Sequence, residues 1–252
     1  FQPERVLLPV VVVLALMLVA MQVPSFLVMI GILIPVPLIF VYIQLGRRPG
    51  VILLSLVFVV LFTLLGPRQA VLFFTEYAVL AGVMAESIRF RLPFDKCILF
   101  STFASAALSI TLLFFILKDQ ESTLIEFFQE QIEGYFEQSM EAIKAMGEPE
   151  ELKMIQEFAD KASGTLARSY PSLIIIGTFI TVVINYYTTR FLWGRLHSLD
   201  LFHPARFSEL VVPDQVVWAF IGSGILSFLA GNILGVIAMN LFFIALVVYF
   251  LQ

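Results

Sequence analysis

Between residues 6 and 46 the chain carries no charged side chain, and between 216 and 252 it again carries none. Crossing about 30 Å of hydrocarbon takes about 20 apolar residues. The second run, as helix at about 1.5 Å per residue, would reach about 55 Å, too long for one crossing. Each run therefore holds two spans. Gln22-Val23-Pro24-Ser25 divides the first into 6–21 and 25–45, and Ala230-Gly231-Asn232 is the natural turn in the second. Pro35 and Pro37 fall inside the second span, where each removes a backbone donor, so a kink is expected.

The rest of the chain reads the same way. Hydrophobic residues make up 60% of it and charged residues 13%, against about 45–50% and about a quarter in soluble domains. This is an integral membrane protein. Further spans are expected at 51–65, after the polar turn Arg47-Arg48-Pro49-Gly50, and at 70–88, after Gly66-Pro67-Arg68. Two more follow at 97–117 and 172–189, separated from the last pair by a polar loop over 190–214. The first run is too long for a signal-peptide core and lacks a small-residue cleavage site, so no cleavable leader is expected. Cys97 is the lone cysteine and cannot form an intramolecular disulfide.

Residues 118–170 differ in character, with 12 acidic and 5 basic side chains. Leu124, Phe128, Ile132, Tyr135, Met140 and Ile143 recur at helical spacing, as do Leu152, Ile155, Ala159, Ala162 and Leu166. Gly147-Glu148-Pro149 separates the two sets. The pattern predicts an amphipathic helical hairpin outside the bilayer, acting as a lid, spacer or docking surface. Anionic headgroups would repel it.

The basic residues orient the chain. With the N-terminus inside, cytoplasmic segments hold nine: Arg5, Arg47, Arg48, Arg89, Arg91, Lys96, Arg190, Arg195 and Arg206, against Arg68 alone in the short outer loops. That is a strong positive-inside bias. The expected organisation is all-α and polytopic, with eight spans and both termini cytoplasmic in a bacterial inner membrane. Residues 1–117 hold spans one to five, 118–170 the extracytoplasmic hairpin, and 171–252 spans six to eight.

Candidate functional residues are few. Glu76 lies in VLFFTEYAVLAG, where a carboxylate costs about 2.5–3.5 kcal/mol even on lenient insertion scales. Asn240 is expected at a matching depth in the last span, and the two could line a cavity open to the outside. Tyr77 and Asn185 complete the candidate substrate-binding set. Polar side chains also serve as structural hydrogen bonds between spans, the competing account for Asn240 and especially for Asn185. Glu86 lies near Arg89 and Arg91, where a snorkelling ion pair explains it. Ala81/Ala85, Ser101/Ser105/Ser109 and Gly231/Gly235 are small-residue rows suited to close helix packing. His197, Asp200 and His203 invite a metal reading, but a fourth ligand is missing and a solvated loop is expected. No nucleotide-binding or hydrolase motif occurs. Neither catalytic residues nor a cofactor, a metal or a nucleic-acid partner is expected.

The whole pattern, with GVMAESIRFRLPFDK, the TTRFLWGRL–FHPARF loop and GNILGV…LVVYFLQ, resembles the DUF2232 (YybS-like) family of bacterial predicted membrane proteins. That family is similar, distantly, to the S components of energy-coupling-factor vitamin transporters, which hold substrate in an outward-facing pocket and pair with a separate transmembrane subunit and ATPases. Eight spans and a large hairpin depart from that pattern, and no S-component binding residue matches here by motif. Two functions follow as expectations. One is a binding or transport subunit taking a small solute from outside, with Glu76 as cation or proton partner. The other is a non-transporting scaffold that binds envelope proteins or further copies of itself.

Overall fold

The computed structural model describes residues 11–12, 15, 31–118, 126, 129, 132–134, 163–197, 201–202, 214–231 and 233–250. Among these there is no strand. The helices are α1 (Pro35–Leu45), α2 (Arg47–Leu65), α3 (Pro67–Phe73), a π-helical turn (Phe74–Ala78), α4 (Val79–Arg89), α5 (Phe94–Lys118), α6 (Tyr170–Leu196), α7 (Asp214–Leu229) and α8 (Ile233–Phe250). Four described helices are long and apolar enough to cross a bilayer: Arg47–Leu65, Phe94–Leu112, Tyr170–Leu196 and Ile233–Phe250. Gly31–Leu45 and Asp214–Leu229 are shorter apolar helices. The expected first span, 6–21, lies outside the described residues except at 11, 12 and 15. Most of the hairpin does too, including Gly147-Glu148-Pro149. Its described residues 132–134 and 163–168 are helical, and Gln129 donates to Glu133 across one turn at 2.9 Å.

Several boundaries differ from the sequence reading. Arg47-Arg48-Pro49-Gly50 is the first turn of α2, not a loop, because Pro49 sits where its missing N–H has no intrahelical partner to lose. The chain turns at Gly46 and Gly66 instead, with φ of 95° and 91°, a region that favours glycine. The expected loop at 190–214 begins late, since α6 runs on through Leu196. Phe191, Leu192 and Trp193 keep this stretch apolar, while Arg190 and Arg195 have stems long enough to carry their charges outward. The expected span 70–88 starts at Pro67 and is interrupted by the π-turn.

The chain divides into two compact units, and the boundaries fall within α5 and α6. In the unit of residues 1–109 and 177–210, α1 is buried at Pro35, Val36, Leu38, Ile39, Val41, Tyr42 and Ile43. By contrast, α2 buries only the stripe Gly50, Leu53, Val57 and Leu61. Val51, Ile52, Leu56, Val59, Phe62 and Leu64 are exposed on it, so a helix apolar all round meets protein on one side and is left for lipid on the others. Gly50 permits the close approach of α1, since a Cβ there would run into the Tyr42 ring. Ala81, Ala85, Ser101 and Ser105 are buried, as close packing through small residues requires.

One end of this unit gathers the basic segments. Arg47 pairs with Glu86 at 3.8 Å, and Tyr42 donates to the same carboxylate at 2.7 Å. The ion pair of Glu86 thus runs to α2, not to the Arg89 or Arg91 of its own helix end. The Arg89 guanidinium lies against Gly46. Nearby, Phe40 meets Trp193 at 5.2 Å, and Phe94 packs edge-on against Tyr186 at 5.0 Å. Aromatic residues beside arginines are characteristic of a membrane–water interface.

In the other unit, residues 110–176 and 211–252, α7 and α8 form an antiparallel pair turned at Ala230-Gly231. Phe220 stacks on Phe242 at 4.8 Å, and Gly224 gives that ring room. Trp218, Phe228, Leu229, Ile233 and Phe250 are exposed. With no membrane around them, they are the surface that hydrocarbon would cover.

Candidate functional site

A π-helical turn widens the backbone by one residue; such turns are rare and frequently occur at functional sites. Here it comprises Phe74, Thr75, Glu76, Tyr77 and Ala78. Thr75 and Ala78 face the core, Tyr77 is half-buried and Glu76 keeps an exposed side chain. Tyr77, the next residue, shares the turn with it. The Tyr77 ring contacts Phe73 at 6.0 Å, and its hydroxyl reaches the backbone at Gly31, where an added Cβ would lie 3.1 Å away.

Gly31 opens an interrupted stretch of helix. A regular helix would pair the Gly31 carbonyl with residue 35 and the Leu33 carbonyl with residue 37, and both are proline. The Gly31 carbonyl instead accepts from Ile34 N–H at 3.2 Å in a tight turn. Asn185 of α6 reaches the same stretch, donating from Nδ2 to the Ile32 carbonyl at 2.6 Å and to Thr181 O at 2.7 Å. Those two acceptors fix the orientation of the amide. Its Oδ1 is left buried with no hydrogen-bond partner among the described residues, and such an acceptor normally costs about 1–3 kcal/mol.

Two of the four sequence candidates, Tyr77 and Asn185, thus meet the interrupted backbone at 31–32, and Glu76 is the chain neighbour of Tyr77. Glu76 lies nine residues into the run from Pro67, about 14 Å along it and near the middle of a hydrocarbon core about 30 Å thick, whereas Asn185 lies about 8 Å before Arg190, nearer the arginine-bearing end of α6. Interrupted helices near mid-membrane expose backbone dipoles and carbonyls to small solutes and ions. The Glu76 carboxyl, the Tyr77 phenol and the Asn185 amide oxygen can each accept from a cation or from a solute presenting N–H or O–H groups.

Asn240, the fourth candidate, belongs to the other unit. Its Oδ1 accepts from Ser172 N–H at 2.9 Å, and its Nδ2 donates to Arg168 O at 2.8 Å and Val236 O at 2.9 Å. Arg168 O and Ser172 N are the pair a regular helix would join directly. Pro171 crowds that turn and separates them, and the Asn240 amide fills the gap. Elsewhere, His197 stacks on Trp193 at 4.2 Å, while Asp200 and His203 lie outside the described residues. Among the described residues no group of metal-ligating side chains occurs.

Sequence reasoning missed Gly31 and the Ile32 carbonyl as parts of the site. The signal was available as GILIPVP, a glycine and two prolines inside an apolar run. The model for a family described as predicted membrane protein (DUF2232) matches residues 11–252. No curated protein and no solved structure matches significantly.

Proposed function

The chain belongs to the DUF2232 family of predicted membrane proteins, and from that premise we propose that it is an S-component-like subunit that binds, or passes on, a small solute. The convergence of the Glu76–Tyr77 π-turn and the Asn185 amide on the interrupted backbone at 31–34 carries this reading. In it, Glu76 supplies the charge that meets a cationic or protonatable group. Tyr77 positions that carboxyl, and the unpartnered Oδ1 of Asn185 accepts a hydrogen bond from the solute. Asn240 holds the start of α6 and takes no part in binding. The solute enters from the outside, both termini lie in the cytoplasm of a bacterial cell, and residues 118–170 stand over the outer face. The eight-span organisation and a non-enzymatic role belong to the same proposal, and any ATP-driven step falls to a partner subunit.

Native mass spectrometry of the protein released from mild detergent tests it. The wild type should carry a small molecule that Glu76→Gln loses while remaining folded, because glutamine keeps the shape and removes the charge. Glu76→Leu should lose the molecule too and melt no lower than wild type, since it removes an insertion cost of about 2.5–3.5 kcal/mol. A wild type that carries nothing, or a Glu76→Gln protein that carries as much, would sink the binding reading. A membrane scaffold, with a co-purifying protein in place of a solute, would then stand.

A further inference from the structure

Near its C-terminal end, α6 carries an open groove of about 370 Å³ lined by Tyr187, Arg190, Phe191, Gly194 and Arg195. We infer that this groove binds the phosphate headgroup of an anionic phospholipid. The five residues recur at i, i+3, i+4, i+7 and i+8 and so share one face of the helix. Gly194 presents no side chain, which opens the space between two arginines one and a half turns apart. Arg195 lies over the Phe191 ring at 5.1 Å, an arrangement that holds its guanidinium at the groove edge. On the other side Tyr187 is anchored against Phe94 at 5.6 Å. A guanidinium has five N–H donors in a planar fork that matches phosphate oxygens.

The lining selects the source of the phosphate. Most of the groove surface is ring and stem carbon, with the arginines supplying the polar part. A free phosphate ion would gain nothing from the apolar wall, whereas a lipid lays glycerol and upper acyl carbons against it. The groove sits at the end of a helix apolar enough to cross the bilayer, among aromatic residues suited to headgroup depth. A basic side chain near an anionic membrane surface is worth about a fivefold gain in binding.

The test uses the full chain in nanodiscs and in detergent, with phosphatidylglycerol, phosphatidylcholine and inorganic phosphate as separate probes. Phosphatidylglycerol should remain bound in native mass spectra where phosphatidylcholine does not, and millimolar phosphate should not displace it. Arg190→Gln and Arg195→Gln should each weaken retention about fivefold, and the double variant about thirtyfold. Gly194→Leu keeps both charges but fills the groove, and should abolish retention alone. Arg→Lys at both positions keeps charge without the fork and should fall between, which keeps the test valid if the glutamine variants fold poorly. Equal retention of the two lipids, or full retention by Gly194→Leu, would overturn the assignment. So would displacement by phosphate, which would make this a soluble-anion site.

Discussion

Two asparagines inside the membrane have nearly opposite hydrogen-bond accounts. Asn240 satisfies Ser172 N–H and Arg168 O and leaves neither of its own amide atoms idle. Asn185 satisfies Ile32 O but leaves its Oδ1 buried without a partner among the described residues. Replacing Asn240 by leucine strands two backbone groups, and an unpaired buried group costs about 1–3 kcal/mol. Interhelical hydrogen bonds in membranes contribute less, about 0.6 kcal/mol on average with a maximum near 1.7. Asn240→Leu should therefore lower stability by about 2 kcal/mol, between those bounds. Asn185→Leu loses one interhelical bond but also removes an orphaned acceptor, and should change stability by less than about 1 kcal/mol. Denaturation midpoints in mixed micelles compare the two. If Asn185→Leu proved the costlier, its amide would be a structural clamp and not a vacant ligand. From sequence the two looked alike, as polar residues in apolar helices. What separates them is where Pro171, Pro35 and Pro37 break the helices they face.

Helix existence was legible in the chain because lipid leaves few alternatives, and uninterrupted apolar runs mark α2, α5, α6 and α8 directly. Helix ends were less legible. Arg47, Arg48 and Arg190 looked like loop residues, yet long cationic stems let a helix continue past them. The π-turn left no sequence signal, since no residue type encodes it; Phe73, Thr75 and Ala78, in and beside it, are buried. Close approach of α1 and α2 rests on Gly50, whose missing side chain makes space for the Tyr42 ring. That ring in turn delivers its hydroxyl to Glu86. Gly50→Ala should force the helices apart, at about 1–3 kcal/mol for overpacking. It should also break the Tyr42–Glu86 hydrogen bond, which contributes about 1.5–3 kcal/mol when one partner is charged. Adding Tyr42→Phe to Gly50→Ala should then cost little more, because the bond is already lost. A fully additive double variant in thermal melts would show that the two residues act separately.

At the scale of the whole molecule, the sidedness of the chain is testable because charge and packing point the same way. Nine arginines and lysines were expected on one side against Arg68 on the other. In one unit, Arg47 meets Glu86, Arg89 lies against Gly46, and the Phe40 and Phe94 rings join α6 near Arg190 and Arg195. Segments separated in sequence thus bring their basic residues to one end. A bilayer with an anionic cytoplasmic surface favours that end inside. On that orientation the 190–214 segment is expected in the cytoplasm and 118–170 outside, since long segments translocate largely regardless of charge. Cys97 is buried, and Cys97→Ser gives a background free of native thiols. Single cysteines at Ser139 and Ser198 in that background should behave oppositely toward an impermeant maleimide on intact cells. Position 139 should label before lysis and position 198 only after it. Labelling of 198 on intact cells, with 139 protected until lysis, would invert the molecule. The Arg190–Arg195 groove would then face the outer leaflet, and Glu76 would have to be reached from the cytoplasm.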